Sequence, residues 1–304
     1  MSATKLIKLI DEKKNPSVVG LDPMLDYIPE EIINKAVNEY GKTFKAAGEA
    51  LFEYNKAIID AVCDIVPCVK PQSAFYELYG TEGEEALKKT IEYAKNAGLY
   101  VLLDVKRGDI GSTAAAYSSA YLGKTDVFGE KLCACECDAV TVNPYLGSDG
   151  VLPFVKDCEA CDRMIFALVK TSNPSSGELQ DMFITDESGE KIPVYMHVAS
   201  LVKKWGQSTI SECGYSGVGA VVGATYPEQL KALRAFMPET IFLIPGYGAQ
   251  GGKAEDIACA FDKEGHGAIV NSSRGIITAH KKVGGDPKTA WRNAALAMKE
   301  DLTK

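Results

Sequence analysis

Asp104, Lys106 and Asp109 form an Asp-x-Lys-x-x-Asp spacing directly after the apolar run Tyr100-Val-Leu-Leu103. Two carboxylates and an ammonium therefore stand where a buried strand is expected to give way to a loop. An apolar strand gains nothing from ending in charge, because unpaired buried ions are costly. A lysine between two carboxylates keeps its proton, since each opposite charge favours the ammonium form. At about 4 Å and an effective dielectric near 20, each such contact contributes roughly 4 kcal/mol before desolvation. That lysine is a poor Schiff-base nucleophile and a competent proton donor. It suits a reaction that builds negative charge on carbon and then delivers a proton there.

Two further groups of residues carry chemistry. Pro245-Gly-Tyr-Gly-Ala-Gln-Gly-Gly252 and, later, Asn271-Ser-Ser-Arg-Gly275 combine glycines, whose backbone N–H groups can converge on an anion, with Gln250 and the guanidinium fork of Arg274. In barrel enzymes the loops after the seventh and eighth strands often bind phosphate. No Gly-Lys-Ser/Thr follows, so this is not a Walker loop. Val169-Lys-Thr-Ser-Asn-Pro-Ser175 is a polar segment whose hydroxyls and amides could read the edge of a heterocycle or form an Asn-Pro turn. His197, His266 and His280 show neither metal spacing nor a nucleophile partner.

Eight short apolar runs must position these groups: Val18–Asp22, Val66–Lys70, Tyr100–Asp104, Ala139–Asn143, Ile165–Lys170, Val218–Val222, Ile241–Pro245 and Ala268–Asn271. Nearly all lack strict polar alternation, as expected for parallel strands covered on both faces. Helical segments such as 83–95 and 227–236 lie between them. Eight strand-helix units favour a (β/α)8 TIM barrel over an open doubly wound sheet. Asp22, Lys70, Asp104, Asn143, Lys170 to Ser172, Thr225, Gly246 and Arg274 all fall at or just after C-terminal strand ends, where a barrel gathers its active site. The expectation is one barrel domain over residues 1–304. Two longer segments depart from minimal spacing: 27–56, read as two helices, and 175–214 after the fifth strand, read as a small hairpin turning at 187–190 and then a helix over 200–212. Neither holds enough apolar residues for a core of its own.

Composition bounds the partners. A net charge of -8 argues against a broad electrostatic grip on nucleic acid. No window approaches the roughly 20 apolar residues of a membrane span. The segment 4–14 alternates charges with aliphatic pairs, resembles a short amphipathic helix rather than a signal peptide, and points to a cytoplasmic protein. The nine cysteines are an odd number, and reduced thiols are the simpler expectation. Cys133-Ala-Cys135-Glu-Cys137 with Cys158-Glu-Ala-Cys161 could supply thiolates to zinc, but that spacing is uncommon for zinc.

Taken together, these residues resemble the orotidine 5′-phosphate decarboxylase family in its longer bacterial type. The resemblance rests on Gly20-Leu-Asp22-Pro, Val69-Lys-Pro-Gln-Ser-Ala-Phe75, Asp104-Val-Lys-Arg-Gly-Asp-Ile-Gly-Ser-Thr113, Thr141-Val-Asn-Pro-Tyr145, Thr171-Ser-Asn-Pro174, Val222-Gly-Ala-Thr225, Pro245-Gly-Tyr-Gly-Ala-Gln250 and Ser273-Arg-Gly275. It implies a cofactor-free, metal-free decarboxylase of de novo pyrimidine synthesis. Asp22 and Lys70 would bind ribose hydroxyls, with Lys70 also pairing to Asp104 in a Lys-Asp-Lys-Asp array. Lys106 would be the proton donor to C6. Asp109, Ile110 and Thr113 would reach the neighbouring site of a homodimer. Ser172 would recognise the pyrimidine amide edge, and Gln250 and Arg274 would hold the phosphate; Tyr247 falls in the same loop without an assigned role. A sister barrel decarboxylase or aldolase using Mg²⁺ on a sugar phosphate is the nearest rival, disfavoured by Lys70 and the 171–174 loop. A silent phosphate-binding barrel would not need the charge array.

Overall fold

The computed structural model describes residues 2–186, 188–248 and 252–303. All eight anticipated apolar runs are strands: β1 (Ser17–Leu21), β2 (Cys68–Pro71), β3 (Tyr100–Arg107), β4 (Ala139–Val142), β5 (Met164–Lys170), β6 (Val218–Val222), β7 (Phe242–Ile244) and β8 (Ala268–Ser272). They follow one another in the order β1-β8-β7-β6-β5-β4-β3-β2 as a closed parallel barrel, so the (β/α)8 TIM barrel expectation holds. Residues on β1, β2, β4, β6, β7 and β8 are buried throughout, the burial that unbroken apolar runs require.

The chain divides into two compact units. One comprises residues 8–105, 135–137 and 272 onward. In it β1 pairs with β2 in the register Gly20↔Lys70, and β2 with β3 through Val69↔Val101. The segment 27–56 does hold two helices, α2 (Glu30–Tyr40) and α3 (Phe44–Val62), after α1 (Ser2–Lys13). Thr43 caps α3 by accepting from Ala46 N at 3.3 Å. Buried Tyr54 of α3 and Trp291 of the C-terminal helix Pro287–Leu302 meet edge to face, and both donate to the Ile277 carbonyl, at 2.6 and 2.9 Å. Two donors on one carbonyl anchor the short helix Arg274–Ile277 that β8 leads into.

The other unit comprises residues up to Ile7, 106–134 and 138–271. Here β5 is flanked by β4 and β6, and β6 leads through β7 to β8. Two expectations need correction. First, β3 does not give way at Asp104 but runs on to Arg107, because partners on the next barrel strand continue the ladder: Lys106 N donates to Thr141 Oγ1 at 2.9 Å and Asn143 N to Arg107 O at 2.8 Å. Second, the hairpin of Phe183–Thr185 and Lys191–Pro193 is present, with Asp186 closing its turn by accepting from Ser188 N and Glu190 N. The helix after it, however, spans Val194–Gly206, not 200–212. It begins directly after Pro193 and ends where Gly206 packs so closely on Ser216 that a Cβ would lie 2.2 Å from Ser216 Oγ. A second hairpin, Thr125–Val127 with Glu130–Leu132, was not anticipated; it carries no apolar alternation and turns on Phe128 and Gly129, both at positive φ.

Candidate active site

In the unit holding β1 to β3, the strand ends converge on Lys70. Its Nζ lies 3.1 Å from Asp104 Oδ2 and 3.9 Å from Asp22 Oδ1, and it is only 4% exposed. Gln72 Nε2 donates to the same Asp104 oxygen at 2.9 Å. Gln72 stands two residues beyond Lys70, and the alternation of side chains along an extended chain was the available signal for it. Asp22 Oδ1 is buried without a hydrogen-bond partner. Its backbone is set by Leu21, whose carbonyl accepts from Gln72 N and from the buried Tyr76 hydroxyl, itself held by Asn55.

Burial is the largest influence on Lys70 and opposes its charge, but Asp104 and then Asp22 outweigh it, and its pKa stands above the ordinary lysine value. A base whose folded pKa is raised contributes stability below its unfolded pKa and loses it as pH climbs through the folded value. The ion pair therefore contributes across the neutral range and fades only above pH 10.5. Asp104→Asn is expected to reverse this sign: burial then dominates, the folded pKa of Lys70 falls below its unfolded value, and the variant gains stability as pH rises. Thermal melts from pH 7 to 10 read the variant's rise against a parental contribution that is constant over that range, with a cost of about 3–5 kcal/mol at pH 7 for the orphaned ammonium. A variant that melts like the parent at every pH would contradict the pairing.

In the other unit, Lys106 sits at φ 45° and its side chain is exposed. A side-chain-bearing residue in this left-handed region stores about 1–3 kcal/mol of strain. The Thr141 hydroxyl, 1% exposed, accepts from the Lys106 N–H and holds that conformation. Thr141 had no role assigned from the sequence, because nothing local ties it to a residue 35 positions away. Asp109 is half-buried and Ile110 and Thr113 are exposed; Asp109 Oδ1 accepts from Ile110 N, which precedes the helix Gly111–Tyr121. A Cβ on Gly150 would meet Asp109 O at 3.0 Å and Leu146 Cβ at 3.3 Å, so the Asp109 segment lies against the turn that carries exposed Tyr145 and Leu146.

Ser172 follows β5 and is half-buried, its Cα so close to Gly223 that a Cβ there would approach it to 2.8 Å. Arg274 is exposed at the start of its helix. Tyr247 is half-buried and bridges to Gly252, while Gln250 lies outside the described residues. The structure thus brings Asp22, Lys70 and Asp104 together by direct contact, and sets Lys106, Ser172 and Arg274 each just at or beyond a C-terminal strand end. All nine cysteines are thiols, and Cys135 Sγ lies 3.4 Å from Cys137 Sγ. Among the described residues no group of three or more His, Cys, Asp or Glu is arranged to hold a metal, and no helix is long and apolar enough to cross a membrane.

Comparison with known proteins bears on this arrangement. The model of the "Orotidine 5′-phosphate decarboxylase / HUMPS family" matches residues 18–292. A relative from Caldicellulosiruptor bescii named orotidine 5′-phosphate decarboxylase is 47% identical over 277 residues, covering 91% of this chain and 89% of the relative. One of the same name from Rhodopirellula baltica is 46% identical over 307 residues, covering 99% and 98%. The solved structure of the Leishmania donovani OMP decarboxylase is similar with a TM-score of 0.72 at 30% identity, covering 98% of this chain and 97% of that one.

Proposed function

The chain belongs to the orotidine 5′-phosphate decarboxylase / HUMPS family, and on that premise we propose that it converts orotidine 5′-phosphate to uridine 5′-phosphate in de novo pyrimidine synthesis. The observation that carries this reading is the Asp22–Lys70–Asp104 cluster, in which Lys70 and Asp104 are buried and Asp104 lies on the strand that continues to Lys106. Its charge density answers the needs of a reaction that passes through a carbanion, and near-full-length relatives at 38–47% identity carry the decarboxylase name.

In the proposed reaction the bond from C6 to the carboxylate breaks, CO2 leaves, and the electron pair stays on C6. Lys106 Nζ gives its proton to that carbon and recovers one from water. The ammonium stabilises charge that exists mainly in the transition state, which is the interaction that raises turnover. Asp104 works with Lys70 to keep the charge array ordered, and the Asp22 oxygen that accepts no hydrogen bond suits a ribose hydroxyl donor. Lys70 takes a second hydroxyl, Ser172 reads the pyrimidine amide edge, and Gln250 and Arg274 bind the phosphate. Binding energy from the phosphate, remote from C6, is available to align the ring.

We further propose a homodimer in which Asp109, Ile110 and Thr113 enter the neighbouring site. Ile110 at 54% exposed and Tyr145 at 77% support an apolar face that a second copy would cover. The odd cysteine count supports a reducing, cytoplasmic setting.

Purified, EDTA-treated protein is expected to deplete the ultraviolet absorbance of orotidine 5′-phosphate at the same rate as untreated protein. Absence of any loss removes the assignment. Activity that vanishes with EDTA and returns with Mg²⁺ would favour the sugar-phosphate chemistry of the rival reading.

A further inference from the structure

Lys170, the last residue of β5, is entirely buried, yet the reaction gives it no task. Its Nζ meets both oxygens of Asp181, at 2.8 and 2.9 Å, and Ser176 Oγ at 3.1 Å, under the ring of Tyr226 at 4.5 Å. An ammonium without solvent needs such a carboxylate. The pair fixes Asp181 at the end of the short helix Gly177–Gln180, inside the segment that lengthens the chain after the fifth strand.

The residue before Asp181 makes use of that anchor. Gln180 Oε1 accepts from Thr171 N at 2.9 Å, and Gln180 Nε2 donates to Thr171 Oγ1 at 2.8 Å. Thr171 Oγ1 in turn donates to Asn173 Oδ1 at 2.6 Å. Both neighbours of Ser172 are thereby tied down. From the opposite side Thr225 Oγ1 donates to Ser172 O at 3.4 Å, and Gly223 leaves space only for a hydrogen against the Ser172 backbone.

We propose that Gln180, held in place by the Lys170–Asp181 pair, is a positioning residue that sets specificity: it fixes Ser172 for the amide edge of a pyrimidine and so governs how far the protein prefers a pyrimidine nucleotide to a base-free ribose phosphate. The proposal rests on the reading of Ser172 given above. It assigns the extra segment after β5 a role in recognition, and it explains why a charge with no chemical step to perform is buried at the strand end.

The probes are uridine 5′-phosphate and ribose 5-phosphate, with dissociation constants measured by calorimetry or competition on the full chain. Gln180→Ala is expected to weaken uridine 5′-phosphate about tenfold and ribose 5-phosphate less than about twofold, one hydrogen-bonding contact being of that size. The Ser172→Ala, Gln180→Ala double variant is expected to bind the nucleotide no worse than Ser172→Ala alone, since a residue that acts through another is not additive with it. If Gln180→Ala does not fold, Gln180→Glu, which keeps the acceptor for Thr171 N, is expected to show a smaller loss confined to the nucleotide. Equal weakening of both probes, full additivity, or no effect of either Gln180 variant while Ser172→Ala weakens the nucleotide would overturn the positioning role alone. An unchanged nucleotide affinity in Ser172→Ala would overturn the Ser172 reading and this proposal with it.

Discussion

Lys106→Ala is expected to lower turnover of orotidine 5′-phosphate by at least about 10⁴-fold, with uridine 5′-phosphate binding kept within about tenfold of the parent. Two losses combine in this variant. The carbanion forming at C6 loses the fixed cation beside it, and the carbon loses its proton source. Neither interaction exists in full in the ground state, so kcat and kcat/KM are expected to fall together while KM moves little. Folding is expected to survive, because the Lys106 side chain is exposed and alanine keeps the N–H that donates to Thr141 Oγ1. Alanine tolerates φ 45° no better than lysine does, so backbone strain is not what the substitution changes. Absorbance assays of turnover and calorimetry of nucleotide binding separate the two quantities. A variant that turns over near the parental rate would take Lys106 out of the mechanism.

The same strand shows which features the sequence could carry. Tyr100-Val-Leu-Leu103 reads as a strand because a parallel strand covered on both faces needs no polar alternation. All eight barrel strands were legible for this reason. Where β3 ends was not legible, because its last residues are Lys106 and Arg107, and what ties them to the barrel is hydrogen bonding with Thr141 and Asn143, far along the chain. Charged site residues announced themselves by their cost: Lys70 and Asp104 make no sense in a strand unless they meet, and they do, at 3.1 Å. Neutral residues that orient others leave no such trace. Gln72, Thr141 and Gln180 each act through one or two hydrogen bonds to partners that only the fold brings near. The hairpin at 125–132 escaped for a related reason: its strands are exposed, so no apolar period marks them, and its turn depends on positive φ at Phe128 as well as Gly129.

Mixing two inactive proteins is expected to restore activity if the site is shared between subunits. Lys106→Ala and Asp109→Ala are each expected to be nearly inactive alone. In a two-fold symmetric dimer, one heterodimeric site takes Lys106 from the Asp109→Ala chain and Asp109 from the Lys106→Ala chain, and is intact; the other lacks both groups. Half of the dimers are heterodimers after random exchange and each has one good site of two, so recovery is expected to approach about a quarter of parental activity. The exposure of Ile110 and Thr113 beside Asp109 is what a segment directed at a neighbour requires, since a chain completing its own site would have reason to bury them. Exchange is confirmed separately by mass spectrometry of differently tagged chains. With exchange complete, activity that stays at the level of the two parents would place Asp109 in its own subunit's chemistry and dismiss the shared site. Recovery near a quarter, rising with the fraction of heterodimer, would divide the Asp-x-Lys-x-x-Asp spacing between two active sites: Lys106 working in its own barrel and Asp109, five residues from Asp104, in the partner's.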